Sequence, residues 1–150
     1  MISFKRTDST DKDFRDLVAL LDADLKKRDG DDHSFYAQFN GIEKIRNVIV
    51  CYIDDEPAGC GAFKEYDPKK VEIKRMYVRP EQRGKGTGLA ILKELETWAA
   101  ELNYPACILE TGKKQPEAIR LYQKAGYAIT KNYGQYEKIE NSVCMEKAIL

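Results

Sequence analysis

Apolar positions along this chain recur with two periods, and the switch between them marks out its elements. Residues 2–6 predict a first strand. Phe14, Leu17, Val18, Leu21 and Leu25 then recur every three or four residues, the stripe of an amphipathic helix, and Thr10-x-x-Asp13 resembles a capping box ahead of it. Asp29-Gly30-Asp31-Asp32 breaks that helix, and 33–39 predict a short second one. Residues 48–53 and 58–66 flank Asp54-Asp55-Glu56-Pro57 as a hairpin. Over 71–78, Val71, Ile73, Arg75 and Tyr77 alternate with Glu72, Lys74, Met76 and Val78, which predicts a strand and places Glu72, Lys74 and Met76 on one face. Pro80 stops it. Leu89, Leu92, Leu95, Ala99 and Leu102 form the next helical stripe. A short apolar strand at 106–110 leads to a helix with Pro116 in its first turn and Gly126 just past its end. Residues 127–133 and 142–147 are the expected last strands, joined by a loop containing Tyr and Gly. The chain shows no repeat, linker or low-complexity segment.

Composition narrows the class. One hundred and fifty residues suit a single domain over 1–150. Lys plus Arg number 25 and Asp plus Glu 25, with the basic residues dispersed, so no global field draws the protein onto nucleic acid or membrane. The start, MISFKRTDST, lacks the apolar core of a signal peptide, and no run approaches a transmembrane length, so a cytoplasmic location is expected. Cys51, Cys60, Cys107 and Cys144 lie in or beside apolar segments without C-x-x-C spacing. They read as reduced, buried thiols, and no metal is expected.

The stretch 71–88, VEIKRMYVRPEQRGKGTG, carries the strongest chemical signal. A strand runs into a glycine-rich turn that opens a helix. The first helical amides have no intrachain partner, the helix dipole favours negative charge there, and glycine permits close backbone approach, so the unit suits a phosphate. Arg83 and Lys85 add two cations. A P-loop would need glycine at 79, which is Arg79, and Ser or Thr at 86, which is Gly86. The dinucleotide fingerprint starts at Gly84 and Gly86 but meets Leu89 in place of its third glycine. What fits is R-x-x-G-x-G, with Arg83, Gly86 and Gly88.

Together with the 72–78 strand and the segment Ala118…Leu121-Tyr122…Gly126-Tyr127, this loop resembles the GNAT superfamily of N-acetyltransferases, small stand-alone bacterial members in particular. The resemblance runs from about residue 48 to the C-terminus. It implies an α+β fold: a mixed, mostly antiparallel sheet of about seven strands flanked by helices, with strands four and five splayed around the cofactor. It also implies acetyl-CoA as donor. The amides of Arg83, Gly84, Lys85, Gly86, Thr87 and Gly88 would hold the diphosphate, and the main chain of Met76, Tyr77 and Val78 would pair with pantetheine and polarise the thioester. Ala118, Tyr122 and Lys124 of the later helix would complete the cofactor site. Where the family often places Asn before that helix, this chain has Gln115, which makes the same bonds at longer reach.

Two residues carry the implied chemistry. Glu72 occupies the place of a catalytic glutamate, and would act as general base on an amine; its alternative is a surface Glu paired with Lys74. Tyr122 matches the family's Leu-Tyr position, as general acid to the departing sulfur; its alternative is a core aromatic. Glu110 is a further base or substrate contact, or the partner in a strand-end ion pair. His33, Asp31, Asp32 and Tyr36 after the first helix, and Tyr133, Tyr136 and Asn141 late in the chain, are candidate acceptor contacts, and the acids would suit a cationic amine. Pairing of an edge strand near Val143 leaves monomer and homodimer both open. The other function class is an acyl-CoA-binding sensor or assembly module without turnover.

Overall fold

The computed structural model describes residues 1–29 and 44–150. Among the described residues there are seven strands, β1 (Ile2–Thr7), β2 (Asn47–Ile53), β3 (Glu56–Asp67), β4 (Lys70–Val78), β5 (Ala106–Gly112), β6 (Ala128–Thr130) and β7 (Ser142–Ala148), and three α-helices, α1 (Lys12–Asp29), α2 (Thr87–Glu101) and α3 (Pro116–Lys124). The strands form one sheet in the order β1-β2-β3-β4-β5-β7-β6. Every pairing is antiparallel except β4 with β5. That parallel pairing is short: Lys70–Glu72 match Ala106–Ile108, after which β4 runs on beside β3 and β5 beside β7. The expected mixed sheet with parted fourth and fifth strands is therefore the observed one.

Helices cover both faces. On one, Phe14, Leu17 and Val18 of α1 are buried against Val48, Val50, Cys60, Ala62 and Tyr77. Each such side chain contributes about 1.5–3 kcal/mol relative to exposure. On the other, Ile91, Leu92, Leu95 and Ala99 of α2 pack with Ile49, Phe63, Val71, Ile73 and Met145, and Tyr122 of α3 joins them. Gly59 and Gly61 of β3 permit this close seating. A Cβ at Gly61 would fall 2.6 Å from Met76 Sδ and 2.7 Å from a Leu95 methyl.

Several expectations shift. The cap of α1 is Asp11, whose Oδ1 accepts the Phe14 N–H at 3.0 Å; Asp8 instead takes the Thr10 amide and hydroxyl, so Thr10-x-x-Asp13 is not the cap. The stripe on α2 buries Ile91 rather than Leu89, and Leu102 lies past the helix end, exposed. The sixth strand stops at Thr130 instead of 133, because the chain then turns inward through a 3-10 turn, Gly134–Tyr136. β7 lies between β5 and β6, with β6 covering Cys144–Glu146 while Val143 pairs with Thr111 of β5, so the edge strands of the sheet are β1 and β6 rather than β7. The helix expected over 33–39, with Asp31, Asp32, His33 and Tyr36, lies outside the described residues.

Candidate active site

The glycine loop begins where β4 ends. Pro80–Gln82 make a single 3-10 turn, and Gly84 and Gly86 follow with φ of +78° and +82°. Those left-handed angles are what require glycine, since an added Cβ at either position would meet no atom within 4 Å. Gly86 caps α2 without a side-chain bond, and its carbonyl accepts the Ala90 amide at 3.0 Å. The amides of Thr87, Gly88 and Leu89 precede any intrahelical acceptor and point out of the helix end. Gly88 serves packing: a Cβ there would stand 3.3 Å from Leu121 Cδ2, so α3 lies close beside the start of α2. Arg83 and Lys85 are exposed on the loop. Arg83 Nε donates to the Val78 carbonyl at 2.8 Å with its guanidinium over the Tyr77 ring, and Lys85 donates to Gln82 at 3.1 Å.

Between the parted strands runs a cleft lined from four directions. β4 contributes Glu72, Ile73, Lys74, Arg75 and Met76; β5 contributes Glu110, Thr111 and Gly112; α3 and its cap contribute Gln115, Ala118 and Tyr122; Leu21 and Leu25 of α1 close the remaining side with Tyr136. β4 does not alternate simply along this wall. Its register against β3 slips between Cys60 and Ala62, and Arg75 takes φ +61°. This bulge inverts the pleat. Val71 and Ile73 face α2; beyond the bulge Met76 and Val78 face α2 as well, while Tyr77 joins the α1 side. Met76 therefore does not share a face with Glu72 and Lys74. Arg75 itself is buried, with its Nη1 3.1 Å from Asp22 of α1.

Glu72 is 5% exposed, so the surface-residue reading is wrong. Its Oε2 accepts the Tyr133 hydroxyl at 2.6 Å. Burial first, and then the Glu72 carboxylate, hold the Tyr133 phenol well above its usual range, and Tyr136 is raised by burial and by Glu110 and Glu72. Both are neutral hydrogen-bonding groups at pH 7. Tyr122 is buried, edge-on to Tyr127 with ring centroids 6.0 Å apart; burial and the nearby Glu110 raise its phenol too. Gln115 caps α3: its carbonyl accepts the amides of Ala118 and Ile119 at 3.1 and 3.2 Å. Lys124 is exposed, one turn beyond Leu121, and does not line the cleft.

The structure thus gathers Glu72, Met76, Gln115, Ala118 and Tyr122 in one cleft, with the 83–88 loop at the end of β4. Sequence reasoning missed the Arg75 bulge and the contributions of Lys74, Leu21 and Leu25. Gly61, opposite the bulge, was the available hint. The four cysteines are buried and form no disulfide, and Cys60 Sγ donates to the Arg75 carbonyl at 3.3 Å; burial pushes Cys51 and Cys144 up to about 11 and Cys60 and Cys107 up to about 12, so none is a thiolate at neutral pH. Among the described residues, no group of three or more His, Cys, Asp or Glu could hold a metal ion, and no helix is long and apolar enough to cross a membrane.

Residues 14–127 match the model of the Acetyltransferase (GNAT) family. The chain belongs to the GNAT family. Over 115 residues this GNAT protein is 32% identical to the uncharacterised N-acetyltransferase YsnE of Bacillus subtilis, covering 73% of this chain and 76% of that one. A crystal structure from Klebsiella pneumoniae, assigned as an acyl-CoA N-acyltransferase, superposes with a TM-score of 0.84 at 30% identity, over 100% of this chain and 99% of that one. The PaiA N-acetyltransferase of Thermoplasma acidophilum, solved with coenzyme A, shares the GNAT fold at a TM-score of 0.73 and 18% identity, over 99% of both chains.

Proposed function

We propose that this GNAT protein transfers the acetyl group of acetyl-CoA to a primary amine by direct attack in a ternary complex. The observation that carries the reading is the cleft between β4 and β5, which has a buried carboxylate on one wall, a buried phenol on another and a glycine-capped helix start at its end. The amides of Thr87, Gly88 and Leu89, with Arg83 and Lys85, would receive the cofactor diphosphate. Beyond Glu72, β4 has no β5 partner, which supports the reading that its backbone from Met76 to Val78 would pair with the pantetheine arm. One amide there, at Met76 or Tyr77, would donate to the thioester oxygen as negative charge develops, a contribution of about 3–4 kcal/mol. Gln115 and Ala118 flank the arm from the α3 side.

Glu72 is the base in this reading. A primary amine has a pKa near 10.4, so presenting it neutral at pH 7 costs roughly 4–5 kcal/mol, which a carboxylate accepting its proton helps to offset. The C–N bond then forms, the C–S bond breaks, and the amine proton leaves by way of Glu72 or a water next to it. Tyr122 would meet the departing sulfur. A thiol has a pKa near 8.5 and Tyr122 lies above the ordinary tyrosine range, so its contribution is a donated hydrogen bond more than a completed proton transfer.

Glu72→Gln tests the assignment. The expected result is a turnover loss of about 100- to 10,000-fold with a changed pH dependence and a nearly unaltered dissociation constant for acetyl-CoA. A variant that turns over like the wild type at every pH would remove Glu72 from the chemistry.

A further inference from the structure

The donor that holds the Glu72 carboxylate comes from 61 residues further along the chain. Tyr133 lies in the connection between β6 and β7, just ahead of the Gly134–Tyr136 turn. Its ring is gripped edge-on from two sides: Tyr66 of β3 at a centroid distance of 5.1 Å, and Tyr136 at 5.8 Å. The turn is fixed in its own right. Tyr136 N–H returns to the Tyr133 carbonyl at 2.9 Å, Asn132 Nδ2 donates to the Ile139 carbonyl at 3.0 Å, and Gly134 takes φ +52° beside the Tyr66 hydroxyl. The position of the phenol is therefore set by β3 and the turn as well as by its bond to Glu72.

A buried carboxylate needs a hydrogen-bond donor, and a base must also keep one orientation toward the proton it takes. The 2.6 Å bond from Tyr133 meets both needs through one carboxylate oxygen. We propose that Tyr133 is a positioning residue for acetyl transfer, acting through Glu72 by fixing its carboxylate in the cleft. This rests on the reading of Glu72 as the base. Burial and the neighbouring Glu72 keep the phenol protonated, so it acts as a donor throughout the physiological range. A residue that only anchored the loop would affect stability and nothing that depends on Glu72.

The test compares wild type, Glu72→Gln, Tyr133→Phe and the double variant. Thiol release from acetyl-CoA is measured with a panel of primary amines (polyamines, amino acids, amino sugars and a peptide with a free N-terminus), alongside coenzyme A affinity and unfolding midpoints. Tyr133→Phe keeps both ring contacts and removes only the donor. It should lower kcat/KM for the amine by about 10- to 100-fold with coenzyme A affinity unchanged. In the Glu72→Gln background the same substitution should cost nothing further, because the group it positions is already gone. Tyr66→Ala, at a half-exposed ring, should give a smaller loss with the same dependence on Glu72. A Tyr133→Phe rate equal to wild type, or losses that multiply in the double variant, would overturn the proposal while leaving Glu72 as base. Glu72→Gln turning over at the wild-type rate would overturn the base reading itself, and wild type inactive with every amine would remove both.

Discussion

Arg75 shows how one residue shapes the cleft wall. A non-glycine side chain at φ +61° costs roughly 1–2 kcal/mol, and this one is held by its partly buried contact with Asp22 and by the slipped register against β3. The strain turns Met76 and Val78 toward α2 and leaves Glu72 and Lys74 on the opposite face. Arg75→Ala removes the ion pair and keeps the strain, whereas Arg75→Gly removes both. The glycine variant should therefore be the more stable of the two by about 1 kcal/mol in denaturant unfolding. Equal stabilities would show that the bulge is not strained at this residue. Glu72 makes a related point. Its position in the strand was legible from alternation, but its burial was not, because the covering phenol comes from Tyr133, far away in sequence.

At the scale of elements, α1 illustrates a start signal displaced by its surroundings. Thr10 and Asp11 are both able to cap, and the sequence pattern favours Thr10 with Asp13. The structure selects Asp11, which takes the Phe14 amide and also pairs with Lys5 of β1 at 2.6 Å, while Asp8 ties up Thr10. Burial works to raise the Asp11 carboxyl, but Lys5 and the Phe14 amide outweigh it and hold it below the ordinary range. A carboxyl lowered on folding stabilises above its unfolded value, about 3.9, and that stabilisation is lost as pH falls through the lower folded value. Asp11→Ala should cost about 0.5–2 kcal/mol at pH 7, and its deficit should shrink in the acid range below pH 4. A deficit constant from pH 7 down to the acid transition would rule out the charge as its source. The β6–β7 connection differed for a similar reason. Its alternating residues read as strand to 133, yet Tyr133 and Tyr136 gain more by packing inward than by extending a sheet edge.

For the molecule as a whole, the prediction concerns the donor. Coenzyme A and acetyl-CoA at about 100 times their dissociation constants should add roughly 2.7 kcal/mol of stability, a midpoint rise on the order of 5–10 °C, and NAD should add none. An equal rise with NAD, or none with coenzyme A, would mean that the glycine turn binds something else. Much of the architecture could be read in advance because it is local in origin: period-2 and period-3.6 stripes, Pro116 and Gly126 around α3, and the three glycines at the start of α2 each follow from steric or hydrogen-bonding demands of a few neighbouring residues. The parting of β4 from β5 was expected only through the family resemblance, and the interior place of β7, the bulge at Arg75 and the Tyr133–Glu72 bond were not expected; none of them has such a local signature. They depend on which segments meet across the sheet and on where a buried carboxylate finds its donor, and those choices are made only when distant parts of the chain pack together.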